Sequence, residues 1–394
     1  MQLFFIKNIF ISNTFLTFID AQKFKCYSLS EITGYEKIHI TLFLQRRIFL
    51  FPMKYYNITQ PPLKIYGLAV ADTQNRQFYK LPKTMLEQMP RYDYLGRRAT
   101  GGRVRFCTDS SNLTIRMTLS QTKEDINIPL SGSAGADIYL GKGIDSEYLG
   151  YIAPNCHVME EISVEKTFTK KNAMEIVTIN LPRNDHLLSM EIGIDDTAAI
   201  EEAPAYTIAN PIVFYGSSIT EGGCASRAGN AYTSIVCRWL DADYRNFGFS
   251  GSARGEQIFA QYIASLTDMS VFVYDYDHNA NDVKQLADTH EAFFQTVRAA
   301  HPNLPILMMS RPDTDKDKTD SQARKEVIYT TYANAKKHGD ENVWFLDGET
   351  FFGMYGRAEC TVDGTHPNAL GFMRMAEKVY AALSDILGVA NCIK

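Results

Sequence analysis

Between residues 54 and about 205, apolar and polar positions alternate in short runs. The runs 103–107, 113–119, 138–140 and 174–179 are rich in β-branched and aromatic residues at every second position, the period of a strand with one buried face. Turn-forming clusters separate them at 108–112, 131–135, 141–143 and 182–185. Short strands at such intervals predict an all-β, jelly-roll-like sandwich domain over 54–205. From Pro211 the pattern changes. Strand-like runs at 212–215, 243–247, 271–274, 305–309 and 343–346 alternate with helical stretches near 231–240, 254–266, 283–300, 318–338 and 368–387. Buried strands alternating with helices predict a parallel sheet covered on both faces, a flavodoxin-like three-layer α/β/α domain over 211–390. Glu201, Glu202, Ala203 and Pro204 read as the linker.

Residues 1–52 follow neither period. They hold nine of the 23 phenylalanines and six basic against three acidic residues, a charge of +3, whereas the other 342 residues carry 34 basic and 42 acidic groups, a charge of −8. Met53 then opens an ordinary-looking start. The segment reads as an extension that is non-native or disordered, with a genuine but poorly ordered arm as the alternative. It makes a weak signal peptide: no basic residue precedes its apolar stretch, and Lys7, Asn8, Ser12 and Asn13 interrupt it.

Overall charge narrows the function classes. A net −5 and a pI near 5.9 do not suit nucleic acid or an anionic membrane. No run reaches the roughly 18 apolar residues of a membrane span. Seven scattered cysteines with no C-x-x-C pair indicate neither a zinc ribbon nor a thioredoxin-like site, and favour a reducing compartment. The expectation is a cytoplasmic protein, with secretion as the alternative, and no metal or cofactor.

Sites on a parallel sheet form at the C-terminal strand ends. After the first strand stands Gly216-Ser217-Ser218-Ile219-Thr220, and after the second Asn246-Phe247-Gly248-Phe249-Ser250-Gly251. After the third comes Asp275-Tyr276-Asp277-His278-Asn279-Ala280, and before the last helix Asp363-Gly364-Thr365-His366. Singly, each is an ordinary turn or loop. Together they supply what acyl transfer needs: a serine, a histidine to take its proton, a carboxylate to orient the histidine, and donors for the developing oxyanion.

In order and spacing these four segments resemble the blocks of the SGNH (GDSL-like) hydrolase superfamily: G-D-S-[LI]-T, N-x-G-x-S-G, G-x-N-D and D-x-x-H. The resemblance implies Ser218 as nucleophile, His366 as base and Asp363 as its orienting acid. It implies an oxyanion hole of the Ser218 amide, the Gly251 amide and the Asn279 side chain. Ser217 replaces the aspartate of the first block, and Asp277 and Ala280 depart from the third. Gly135-Ala136-Asp137-Ile138-Tyr139 resembles the G-x-D-L-Y motif of an N-terminal domain that accompanies one branch of these enzymes. The implied activity is cleavage of carboxylic esters, with a short acyl group such as acetyl on a carbohydrate or other small polar substrate. An acyltransferase using the same residues and a non-catalytic glycan-binding protein are the alternatives, and the oligomeric state is left open. No amphipathic lid suggests a lipase.

Other residues admit two readings. His278 touches substrate or caps a strand end. Arg254 and Arg311 meet a polar substrate group, or form structural ion pairs with Asp275, Asp277 or Asp313. Cys224 reads as a small buried hydrophobe, and Tyr232 as packing for the first helix. For residues 1–52 the expectation is testable. A chain starting at Met53 should match the full chain in melting temperature and esterase kcat/KM, and a melting temperature several degrees lower would place the segment in the core.

Overall fold

The alternating runs become two antiparallel sheets. One is ordered Ile162–Thr169, Asn112–Leu119, Leu187–Asp195, Met53–Asn57. The other is ordered Glu147–Ile152, Ala136–Leu140, Glu175–Asn180, Arg103–Thr108, Ile200–Glu201, with Lys64–Tyr66 also pairing to Arg103–Thr108. Leu113, Ile115 and Met117 of the first share one core with Phe106, Ile138, Val177 and Ile179 of the second. The sheets therefore face each other as a sandwich, each giving alternate residues to the shared core, while Arg103–Thr108 and Ala136–Leu140 are buried on their other face as well.

This computed structural model describes residues 52–392 in full, and 4–6, 9–12, 15–20 and 23–28 as backbone only. Those four segments pair as an antiparallel sheet. The remainder of 1–51 lies outside the described residues, and with it the expectation of a non-native or disordered extension.

In the second domain, β1 (Ile208–Gly216), β2 (Ala242–Gly248), β3 (Val271–Asp275), β4 (Ile306–Met309) and β5 (Val343–Leu346) form a parallel sheet ordered β2-β1-β3-β4-β5, the flavodoxin-like order. Its helices are α1 (Ser218–Glu221), α2 (Tyr232–Trp239), α3 (Gln257–Ala264), α4 (Val283–Ala300), α5 (Lys318–Lys337) and α6 (Ala369–Leu387). Strand residues alternate between two cores. Val213, Phe272 and Met308 pack with Phe259, Phe293, Val297 and Ile328 of α3, α4 and α5. Ile212, Phe214, Val273 and Leu307 pack with Ile235, Val236, Phe372 and Val379 of α2 and α6. Burial on both faces is why these strands read as continuous apolar runs. Among the described residues no helix is long and apolar enough to cross a membrane.

Two local expectations shift. The helix expected from 254 begins at Gln257, because Gly255 lies in the left-handed region at φ +75° and Glu256 is extended at the N-cap. The linker begins inside an element: Glu201 ends a sandwich strand, Glu202 and Pro204 are exposed, and just past it Tyr206 is buried with the Arg105 guanidinium 3.8 Å from its ring centroid. The Tyr206 hydroxyl also accepts from Arg103 Nε at 3.2 Å.

Polar contacts weld the two domains. Asp137, the aspartate of the G-x-D-L-Y-like segment, is 1% exposed. Both its oxygens accept from the Gly229 amide at 3.1 Å, and Oδ1 accepts from Asn180 Nδ2 at 2.9 Å. Arg227 Nε lies 3.4 Å from Oδ2. Burial pushes the Asp137 carboxyl above its ordinary value, against the pull of Asn180 and the neighbouring arginines. Removing it strands a buried amide and a cation. Asp137→Ala should therefore lower unfolding free energy by about 2–4 kcal/mol in denaturant titration; a loss under about 0.5 kcal/mol would contradict this account.

Candidate active site

The site begins where three strands end side by side. Gly216 pairs with Gly248 of β2 and Asp275 of β3. A Cβ on Gly216 would lie 1.9 Å from the Asp275 carbonyl, and one on Gly248 2.1 Å from the Glu221 amide. Without side chains the backbones close up: Phe249 N–H donates to Gly216 O at 2.9 Å and Ser217 N–H to Asp275 O at 3.1 Å. Ser217, the position at which the motif departs from aspartate, caps α1 by accepting from Ile219 N–H at 3.1 Å. Serine and aspartate serve equally as N-caps, which explains why the departure is tolerated. The chain turns sharply here and leaves Ser218 half-buried at the first position of α1.

Ser218 Oγ lies 2.9 Å from His366 Nε2, and His366 Nδ1 lies 2.8 Å from Asp363 Oδ2. The other carboxylate oxygen accepts from the backbone amides of His366 at 2.8 Å and Thr365 at 3.0 Å. Asp363 thus grips the imidazole and its backbone together. Burial pushes the Asp363 carboxyl up, but these donors outweigh it and hold the group below its ordinary value, ionised. Gly223 lines the other side of the ring; a Cβ there would stand 3.3 Å from His366 Cδ2.

Asn279 ends the 3-10 turn Asp277–Asn279 after β3, and its Nδ2 donates to Phe249 O at 3.0 Å. This bond ties the third strand-end loop to the second and leaves the other amide hydrogen of Asn279 free of that contact. Gly251, two residues past Phe249, is exposed at φ +64° with open space around its α-carbon. Serine, histidine and aspartate are in direct contact, and the loops carrying Gly251 and Asn279 are bonded to each other and to the Ser218 strand.

The remaining candidates sort by their partners. His278 Nε2 lies 2.6 Å from Asp313 Oδ1, and Asp313 is also held by Arg311 through two contacts of 2.8 Å. His278 and Arg311 therefore share one carboxylate, that of Asp313. Arg254 Nε is buried with no protein partner, and its backbone amide donates to Glu256. The Cys224 thiol is buried, which pushes it up to about 11. Tyr232 does more than pack α2: its hydroxyl donates to Asp275 Oδ2 at 3.2 Å, beside Thr220 Oγ1 at 2.9 Å. Sequence reasoning missed Asn127, a sandwich residue whose Nδ2 lies 3.4 Å from Asp363 Oδ2, and Glu221, which α1 buries at the domain junction. Neither has a local signal, since their partners lie far away in sequence. Among the described residues no group of three or more His, Cys, Asp or Glu is placed to hold a metal ion.

A flavodoxin-like sheet with serine, histidine and aspartate meeting at its strand ends is the architecture of an acyl hydrolase. Residues 209–384 match the GDSL-like Lipase/Acylhydrolase family, and residues 53–200 match GxDLY, the N-terminus of SGNH-hydrolase-type esterases. The chain is an SGNH-type esterase/acylhydrolase. It is similar in structure to a GDSL-like lipase from Bacteroides ovatus, at 27% identity and a TM-score of 0.76 over 86% of this chain and 99% of that one. A salicylyl-acyltransferase from a tetracycline biosynthetic pathway is similar at 21% identity and a TM-score of 0.70, over 86% and 99%. A family two carbohydrate esterase from Clostridium thermocellum, in complex with cellohexaose, is similar at 15% identity and a TM-score of 0.53, over 73% and 93%. No curated protein matches the chain.

Asp275, whose carbonyl holds the Ser217 amide, offers a pH test. Burial, then the nearby Asp277, raises its carboxyl from 3.8 to about 7. The folded protein thus keeps a proton that the unfolded chain has lost, so this group makes stability fall as pH rises from about 4 to about 7. Asp275→Asn should flatten that slope. Between about pH 5 and about pH 7.5 the wild type should lose roughly 1–3 kcal/mol relative to the variant in denaturant titrations; parallel pH profiles would show that Asp275 stays ionised.

Proposed function

We propose that this protein is a serine esterase that removes short acyl groups, acetyl foremost, from a carbohydrate or other small polar alcohol. The observation that carries the reading is the unbroken line from Ser218 through His366 to Asp363, with contacts of 2.9 and 2.8 Å. His366 takes the Ser218 proton as the hydroxyl attacks the ester carbonyl, and Asp363 holds the imidazole in the required tautomer and stabilises its cation. The Ser218 and Gly251 amides and the free hydrogen of Asn279 Nδ2 receive the oxyanion. His366 then protonates the leaving alcohol, and a water it activates releases the acyl group from the serine.

Two observations favour a polar alcohol. An open cavity of about 490 Å³ borders Asp363 and Gly364, and Asp313, Asp315, Lys316 and Arg357 stand in its walls. These charged groups can meet hydroxyl groups, and Phe352, Met354 and Ala358 beside them in the wall offer an apolar face for the rest of the molecule. Structural neighbours also include, besides the cellohexaose complex, an acetyl xylan esterase from Butyrivibrio proteoclasticus at 15% identity and a TM-score of 0.53. The second reading, acyl transfer to an alcohol acceptor, is favoured by the salicylyl-acyltransferase neighbour. It uses the same residues and differs only in what resolves the acyl-enzyme, so product analysis with and without alcohol acceptors separates the two.

A fluorophosphonate probe should add once, at Ser218, and Ser218→Ala should lower kcat on 4-nitrophenyl acetate by ~10³-fold or more. Asn279→Ala should lower kcat by about 10²–10³-fold with KM changed far less. Labelling elsewhere, or an active Ser218→Ala protein, would remove the assignment; a pure KM effect at Asn279 would make it a substrate-binding residue.

A further inference from the structure

Glu221 closes the short helix that Ser218 opens, is 1% exposed, and has no part in the chemistry above. Its carboxylate is where the two domains and the Gly251 loop meet. Oε1 accepts from Lys80 Nζ at 2.8 Å and Oε2 from Arg98 Nη1 at 3.0 Å, both from the sandwich domain. Oε2 also accepts from the Ser250 amide at 3.0 Å and from the Ser250 hydroxyl. Lys80 reaches further along the same loop: it donates to the Gly248 carbonyl and sits 4.4 Å from the centroid of the Phe249 ring. Asn279 holds the Phe249 carbonyl from the other side.

Residues 248, 249 and 250 are thus each gripped, while Gly251, the next residue, has nothing within 4 Å of where a Cβ would stand. The loop is clamped up to the amide that must be aimed. The charge balance fits the same purpose. A lone carboxylate this close to a developing oxyanion would oppose it, but Lys80 and Arg98 neutralise Glu221 directly. Arg183, 2% exposed and bonded to Gly132 O at 3.1 and 3.3 Å, adds a third buried cation that acts on Glu221 through space. Burial alone would push the Glu221 carboxyl up; Arg98 and Lys80 instead hold it well below the usual range.

We propose that Lys80, Glu221 and Ser250 are positioning residues that aim the Gly251 amide at the oxyanion, so that the sandwich domain is a working part of the esterase site. The proposal rests on the oxyanion role given to Gly251 above. A donor displaced by about 1 Å loses much of the 10²–10³-fold that an oxyanion contact contributes.

The test compares the full chain with its Ser250→Ala and Lys80→Met variants. 4-Nitrophenyl acetate is the substrate, and phenylboronic acid, whose serine adduct has a tetrahedral boron with an oxygen at the oxyanion position, is the inhibitor. Two controls come first: the wild type should be inhibited competitively and Ser218→Ala should be inactive. If either control fails, the esterase reading falls and takes the proposal with it. With both in place, each variant should show kcat lowered at least ~10-fold, KM within about twofold, and a boronate Ki raised by the same factor as kcat falls. Ki does not depend on the fraction of protein that is folded, so a merely structural effect leaves it unchanged. Should Lys80→Met fail to fold, Ser250→Ala decides, since it removes one hydroxyl from a half-buried loop residue. A boronate Ki equal to that of the wild type in the folded variants, with or without a loss of kcat, overturns the proposal and leaves the esterase reading standing.

Discussion

Three strand ends can converge on one point only if no side chain stands between them, and Gly216 and Gly248 meet that condition. With a Cβ at either position, an atom would lie about 2 Å from backbone of the neighbouring segment, a distance that no rotamer change relieves because the obstacle is main chain. The consequences run outward from this close approach. Ser217 reaches the Asp275 carbonyl, Phe249 reaches Gly216, and the turn that follows places Ser218 at the head of a helix whose last residue, Glu221, is pressed against the second loop. Positioning of the serine is therefore a backbone property, and little of it depends on the side chains that differ from the family pattern.

Where the two domains meet, the interior holds charges. Asp137 and Glu221 are carboxylates almost sealed from solvent, and each joins the sandwich to the α/β domain through buried donors. A buried ion pair gains little over well-packed apolar groups, but losing one partner is costly because the other is left without water. The junction consequently tolerates no half-measures: the domains dock with every partner in place or lose several kcal/mol. That behaviour suits a joint between two domains that must hold one geometry, and it makes the sandwich hard to regard as a detachable module.

The hydrogen-bonded cluster of His278, Arg311 and Asp313 shows the same logic at the edge of the site. For His278 and Arg311 a substrate contact was one of two readings, and the structure joins both to Asp313. A histidine in hydrogen-bond contact with a buried carboxylate that an arginine also grips is held in place by them.

Much of this was legible in the chain itself. Alternation of period two is a local property, and a strand buried on both faces shows its continuous apolar run whatever its neighbours; hence the five parallel strands and their helices fall close to their expected positions. The Asp363–His366 contact is local as well, since three residues of turn bring the carboxylate to both the imidazole and its amide. What the chain could not reveal are contacts whose partners are distant in sequence and whose residues lack a pattern. Ser218 and His366 meet across 148 positions, and here only the order of the motif blocks hinted at the pairing. Lys80 and Arg98 meet Glu221 across 141 and 123 positions, with no motif to announce them, because an isolated charge in a sequence reads as surface. Tyr206, just past the exposed linker, likewise lies under Arg105 with no local signal to announce it. Local periodicity sets the elements, whereas only docking of the two domains decides which charges lose their water, and therefore which of them must find each other.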